Sequence, residues 1–241
     1  MRLDKFIVDN KLVNSRNKAQ HLITNGCVLV NNIIVNNKHY EINENDVVIV
    51  NDVGQYVSRG AYKLLHALTT WKINLTDQVV LDIGASTGGF TQVCLNMNAL
   101  KVYAVDVGTN QIDKKLKENK KIVVYEQTNF KTLVLSMFEE KIDYIVADLS
   151  FISLTTLIEK INQLFNYPLK MIFLIKPQFE LGKDVVSRFN GVIREPKLWN
   201  KAVGKIKQSV IKHNFKINGI IPSPIKGNSG NTEFLIYCEK K

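Results

Sequence analysis

LDIGASTGGF, residues 81–90, sets Gly84, Gly88 and Gly89 between an apolar run and the start of an amphipathic one. The run VVLDI (79–83) reads as a buried strand. Glycines directly after it let backbone approach a ligand, and the next helix offers unpaired N–H groups. Working outward, KVYAVD (101–106), KIVVYE (121–126), IDYIVADL (142–149) and KMIFLIK (170–176) repeat the pattern. Near-continuous apolar strands separated by amphipathic stretches predict a parallel sheet covered on both faces, a Rossmann-like α/β domain. A long helix around 196–213 and a hairpin of FKINGII (215–221) and TEFLIYCE (232–239), spanned by PSPIKGNSGN, close it.

Upstream, Ser58 is placed to cap a helix whose Ala61, Leu64, Leu65, Leu68 and Trp71 keep helical spacing. DVGQYV (52–57) lacks periodicity and reads as a linker. Before it, apolar positions from Leu3 to Ile23 describe two short helices, the second capped near Asn14 or Ser15 and stopped by Gly26. CVLV (27–30), IIV (33–35) and VVIV (47–50) follow as short strands, the first two joined at Asn31-Asn32. The chain therefore divides into a small α+β unit (1–51), a linker (52–57) and a large α/β domain (58–241).

With 45% apolar and 22% charged residues, the composition is that of a folded globular protein. No stretch approaches the roughly 20 apolar residues that cross a bilayer, and the N-terminus lacks a signal peptide's apolar centre. A cytoplasmic protein is expected. Cys27, Cys94 and Cys238 fit neither a metal knuckle nor a disulfide framework, so buried thiols and no metal site are expected. The net charge of +10 points to a polyanionic partner, and the excess is regional. Residues 182–241 carry twelve bases against four acids, while residues 41–57 carry four acids and no base.

Three ligand readings compete at the glycine turn. A dinucleotide site wants a second glycine where Ser86 stands. The string also fits the G-x-S-x-G nucleophile elbow, which would need His213 as base for Ser86. A nucleoside cofactor without pyrophosphate, S-adenosylmethionine, asks only for the turn and an acid for the ribose, and Asp106 ends the second strand.

Methylating a sugar hydroxyl requires a base and no covalent nucleophile. Asp148 and Lys176 close the fourth and fifth strands, at the carboxyl ends where open sheets bind ligands. Lys63 lies on the helix ahead of the sheet and Glu233 at the start of the last strand. Lys176 is the candidate base and Lys63 the neighbouring ammonium that would depress its pKa. Asp148 would orient Lys176 or the hydroxyl, and Glu233 would hold Lys63 or the ribose. Asp148-Leu149-Ser150-Phe151 departs from the Pro-Pro-aromatic loop of amine methylators, and no cysteine sits where a pyrimidine C5 enzyme needs its nucleophile.

RLDKF with SRNKAQHLITNGCVLVN, then VSRGAYKL, DIGASTGGFT, YAVDVG, VADLSFISL, LIKPQFE and PSPIKGNSGNTEF, resemble in order the TlyA or haemolysin A family of S4-domain ribosomal RNA 2′-O-methyltransferases. The resemblance implies an S4 RNA-binding domain followed by an FtsJ-like class I methyltransferase domain. It places a Lys-Asp-Lys-Glu tetrad on Lys63, Asp148, Lys176 and Glu233. It assigns Gly84, Ala85, Ser86, Thr87, Gly88, Gly89 and Phe90 to the methionine end of S-adenosylmethionine, Asp106 and Val107 to the adenosine, and Asn129, near the third strand's end, as a further cofactor contact. Arg2, Lys5, Arg16, Lys18 and His21 are the implied RNA contacts. GVIREP carries Glu195, and YAVDVGTNQI carries Thr109-Asn110, where family members often show Asp and Tyr-Gly. The chain starts at the S4 motif and ends just after the last strand, like shorter members, which implies a cytidine of large-subunit RNA as target. A non-catalytic assembly factor and a membrane-active haemolysin are the rival classes. The intact tetrad opposes the first, and the absence of a spanning segment or pore-like strand series opposes the second.

Overall fold

The structure is a computed structural model that describes residues 1–24, 26–31, 33–50, 56–227 and 229–241. Most of the expected linker, 52–55, lies outside the described residues, as does Asn32 of the expected turn.

The N-terminal unit pairs helices α1 (Leu3–Asp9) and α2 (Arg16–Thr24) over strands β1 (Val28–Val30), β2 (Ile33–Ile34) and β3 (Val48–Val50), which form an antiparallel sheet in the order β2-β1-β3. Ser15 Oγ accepts the Lys18 amide at 3.3 Å, capping α2. Asn31 turns the chain at φ +52, and its side chain grips Asp46 and the Val47 amide at 2.7 and 2.9 Å. Leu3, Ile7, Ala19, Leu22, Ile23 and Val28 make the small core.

The large domain builds, among the described residues, a seven-stranded sheet in the order β6-β5-β4-β7-β8-β10-β9. Its strands are β4 (Val79–Ile83), β5 (Lys101–Val105), β6 (Ile122–Tyr125), β7 (Tyr144–Ala147), β8 (Leu169–Ile175), β9 (Lys216–Pro222) and β10 (Phe234–Lys240). β4 to β8 run parallel, and β10 inserts antiparallel between β8 and β9. Alternate side chains enter opposite layers, as the pleat requires. Val80, Val102, Val146 and Ile172 pack beneath α3 (Gly60–Thr70) and α4 (Gly89–Asn96). Leu81, Ile145 and Phe173 pack beneath α6 (Leu154–Leu164) and α9 (Pro196–Lys212). Three further short helices are α5 (Lys114–Lys117), α7 (Pro177–Glu180) and α8 (Lys183–Ser187).

Ser58 does not cap α3 with its hydroxyl. Arg59 is the N-cap, and Ser58 contributes only its carbonyl to the Ala61 amide at 3.3 Å. The Ser58 hydroxyl instead sits 2.1 Å from where a Cβ on Gly89 would lie, so the α3–α4 crossing has room for glycine alone.

The two units touch. Tyr62 of α3 joins the N-terminal core, Asn36 Nδ2 donates to the Pro224 carbonyl at 3.0 Å, and Gly26 lies against Ile225. Among the described residues no helix is long and apolar enough to cross a membrane. The three cysteines are buried, and burial pushes the Cys238 thiol up to about 12.

Candidate active site

A parallel sheet delivers side chains to the carboxyl edge of its strands, and the turns there leave a crevice where the strand order reverses. β4 ends in the glycine turn, β7 ends one residue before Asp148, and β8 ends one residue before Lys176. Lys176 has Pro177 after it as the first residue of α7, where a missing N–H costs nothing. Lys63 comes from the second turn of α3, and Glu233 directly precedes β10.

These four residues converge. Lys63 Nζ donates to Glu233 Oε2 at 2.7 Å, Asp148 Oδ2 lies 3.7 Å from Lys63 Nζ, and Asp148 Oδ1 lies 2.6 Å from Lys176 Nζ. The order is Glu233, Lys63, Asp148, Lys176, with opposite charges alternating. A carboxylate therefore bridges the two ammonium groups, so their coupling runs through Asp148. Lys176 also donates to Ser150 Oγ at 3.0 Å and stands 5.8 Å from the Phe179 ring centre. Glu233 is 2% exposed, and burial raises its pKa against the opposing pull of Lys63.

The tetrad forms the floor of a cleft of about 450 Å³ whose walls include Gly84, Ala85, Ser86, Thr87, Gly89 and Phe90. A second cleft of about 400 Å³ adjoins it, with Asp106, Val107, Thr128 and Phe130 at its far side. Gly84, Ser86, Asp148, Ser150 and Phe151 line both.

The glycines serve the protein's own packing as well as a ligand. A Cβ on Gly84 would stand 2.8 Å from the Asp148 carbonyl oxygen, and the residue's φ is +82. Gly88, at φ +96, faces Leu116 and does not line the cleft. Asp82, buried in β4, accepts the Thr91 hydroxyl at 2.6 Å. Burial, with Asp148 and Asp106 nearby, raises its pKa to about 7 despite that bond.

Asp106 accepts the Ser86 and Gly108 amides at 2.9 and 2.7 Å, fixing the rim of the second lobe and leaving carboxylate lone pairs for a ligand. Asn129 departs from its expected place. It is exposed, its Oδ1 takes the Lys131 amide at 3.0 Å, and the residues on either side of it line the cleft instead.

Of the RNA candidates, Lys5, Lys18 and His21 are exposed. Arg2 and Arg16 are engaged within the N-terminal unit, donating to the buried Asp4 at 2.9 and 3.0 Å, with Gln20 joining at 2.7 Å. Burial alone would raise the Asp4 pKa, but these bonds hold it well below the usual carboxylate range. Arg16 and Gln20 thus fasten α2 to α1 through Asp4, while Arg2 braces Asp4 from the start of α1, and both arginines keep part of the guanidinium at the surface.

The nucleophile-elbow reading fails on geometry. His213 ends α9, its Nδ1 lies 2.8 Å from the Ser209 carbonyl, and it lines neither cleft. The sequence reading also missed residues. Ser150 and Phe151 lie in the VADLSF stretch already singled out for Asp148, and Phe179 in LIKPQFE. Phe151 is 91% exposed at φ +64, with its ring 5.0 Å from that of Phe179. An aromatic held in the left-handed region at the mouth of a cleft was the available signal only once backbone angles were known.

Residues 56–240 match the FtsJ-like methyltransferase family, and residues 1–48 match the S4 domain. Hemolysin A of Brachyspira hyodysenteriae is 40% identical over 98% of this chain and 99% of its own length. The 23S rRNA (cytidine-2′-O)-methyltransferase TlyA of Campylobacter jejuni is 38% identical over the full length of both chains. A solved structure from Lactococcus lactis that carries the hemolysin name is 41% identical, with a TM-score of 0.74 over 78% of this chain and 89% of that one. With an S4 match followed by an FtsJ-like match over most of the chain, and full-length relatives at 38–40% identity, the chain belongs to the S4-bearing, TlyA and hemolysin A branch of the FtsJ-like methyltransferases.

Proposed function

We propose that this chain transfers a methyl group to a ribose 2′-hydroxyl of ribosomal RNA, with a cytidine of the large-subunit RNA as target. The observation that carries the reading is the Glu233, Lys63, Asp148, Lys176 chain of charges on the cleft floor, which provides proton-handling groups and no nucleophile. The methyl donor is S-adenosylmethionine, which supplies an electrophilic methyl on sulfonium. Two joined lobes suit it. Asp106 has carboxylate lone pairs to offer a ribose diol, Val107 and Phe130 offer apolar walls to a purine, and the glycine turn borders the lobe that holds the tetrad.

In this reading Lys176 meets the substrate hydroxyl. Asp148 and Ser150 fix its Nζ, and that nitrogen takes up the hydroxyl proton as the oxygen becomes a nucleophile. Lys63, anchored by Glu233, sets the position of Asp148 from the other side. The exposed Phe151 ring, beside the half-buried Phe179 ring, offers the kind of face on which an unstacked base rests. The large-subunit cytidine is supported by the name of the Campylobacter relative, whereas the Mycobacterium tuberculosis relatives, 34% identical, are named for both 16S and 23S rRNA.

The test is tritium transfer from labelled S-adenosylmethionine to separated ribosomal subunits, with the product mapped by mass spectrometry. Wild type is expected to label one ribose of the large subunit. Lys176→Ala should lose roughly 10²- to 10⁴-fold in rate while still binding donor, and Lys176→Arg should not recover it, because arginine stays protonated. Binding of RNA with no label on either subunit would replace this reading with that of an assembly factor.

A further inference from the structure

We propose that the groove between α8 and α9 holds a sugar-phosphate strand of the RNA substrate, as a contact separate from the S4 unit. The inference rests on the RNA reading above. Along Pro196–Lys212 the helix carries five lysines and no acid. Lys197, Lys201 and Lys205 are four residues apart, so they share one face, and all three are exposed. The opposite face, with Ala202, Ile206 and Val210, is buried in the domain.

This row borders a groove of about 420 Å³ lined by Gly182, Val185, Lys201, Gly204 and Lys205, together with Glu180. The one acid among its described lining residues is already paired: Glu180, 5% exposed, accepts the Leu154 amide at 2.8 Å and Lys205 Nζ at 3.3 Å. Lys205 also donates to the Glu180 carbonyl at 2.9 Å and to Ser153 Oγ at 3.1 Å, so this pair is neutral and Lys197 and Lys201 carry the row's remaining charge. Gly182 is the N-cap of α8, a position that suits glycine, whereas Gly204 has no such local reason. Among the described residues a Cβ at Gly182 or Gly204 would meet no atom within 4 Å, and neither has a positive φ. Glycine in the middle of a 17-residue helix is unfavourable relative to alanine, and no packing among the described residues requires it at 204. A side-chain-free strip beside ammonium groups is what close approach of a phosphate backbone uses. The strip is also placed to serve the chemistry. α9 packs on α7, and α7 begins one residue after Lys176, so a strand in the groove leads to the mouth of the catalytic cleft.

Filter binding of the full chain to protein-free ribosomal RNA over a salt series tests this, with Lys201→Gln and Gly204→Leu. Gly204→Leu fills open space and favours helix, so its melting temperature should equal or exceed that of wild type. Its RNA affinity should nevertheless fall about fivefold or more. Lys201→Gln should weaken binding about 3- to 10-fold and reduce the salt slope by about one. Methyl transfer at saturating RNA should be unchanged in both. Wild-type affinity and slope in both variants would overturn the groove while leaving the function standing. Loss of binding to whole subunits but not to naked RNA would also overturn it, since the occupant would then be a ribosomal protein. A wild-type chain that binds no RNA even at low salt would bring down the functional reading and this inference together.

Discussion

Asp82 sits two residues before Gly84, enclosed by the sheet, with the Thr91 hydroxyl as its hydrogen-bond donor. Its pKa of about 7 against an ordinary 3.8 means that the folded chain holds a proton over that interval which the unfolded chain has released. Stability therefore falls as pH rises from about 4 to about 7 and stays reduced above it, by up to about 4 kcal/mol for this one group. Asp82→Asn keeps the shape and removes the titration. The melting temperature of Asp82→Asn relative to wild type should rise between pH 5 and pH 8, and a difference that does not change with pH would refute the assignment. Lys176 was legible in the sequence, because it directly follows an apolar strand. The proton state of Asp82 was not, since it depends on what the fold places around the carboxyl.

At the level of elements, α3 and α4 cross with Gly89 opposite Ser58, and the separation there is set by the absence of one methyl group. Gly89→Ala would drive a Cβ to within 2.1 Å of the Ser58 hydroxyl and 3.1 Å of the Ala61 amide. A cost of about 1–3 kcal/mol follows from such overpacking. Ser58→Ala in the same chain should recover part of it, which a double-mutant cycle by urea unfolding would measure; additive effects would show that the two residues do not meet. The strands and long helices followed from periodicity. The short helices α5, α7 and α8 did not, because each is too brief to display a period and is held by its surroundings. Glu180 illustrates this: its value lies in capping α6 across 26 residues of sequence, a pairing with no local signature.

Across the whole molecule, the N-terminal unit leans on the loop that leads into Glu233. Gly26 presses on Ile225, Asn36 on the Pro224 carbonyl, and Ser223 donates its amide to the Glu233 carbonyl at 2.8 Å. Gly26→Ala combines φ +72 with a Cβ 2.0 Å from the Ile225 side chain. It should destabilise the protein by about 1–3 kcal/mol. Because the strain enters that loop, methyl transfer should fall even at temperatures where the protein remains folded. Calorimetry beside a methylation assay would check both, and full activity in the folded variant would show that the loop absorbs the change without moving Glu233.

The sequence by itself determined the alternation of strand and helix, the glycine turn, and which strand ends carry charge, because burial patterns and turn chemistry are local and periodic. It also placed Lys63, Asp148, Lys176 and Glu233 among the candidates, since parallel sheets present their ligands at one edge. Only the tertiary structure decided how those four connect. Asp148 lies between the two lysines, so the ammonium groups are bridged by a carboxylate. Only the structure, too, committed Arg16 to Asp4, turned Gly88 toward Leu116 and left Gly204 facing open space. Each of those outcomes is a contact, or the lack of one, between residues distant along the chain, and such relations exist only once packing has fixed distances.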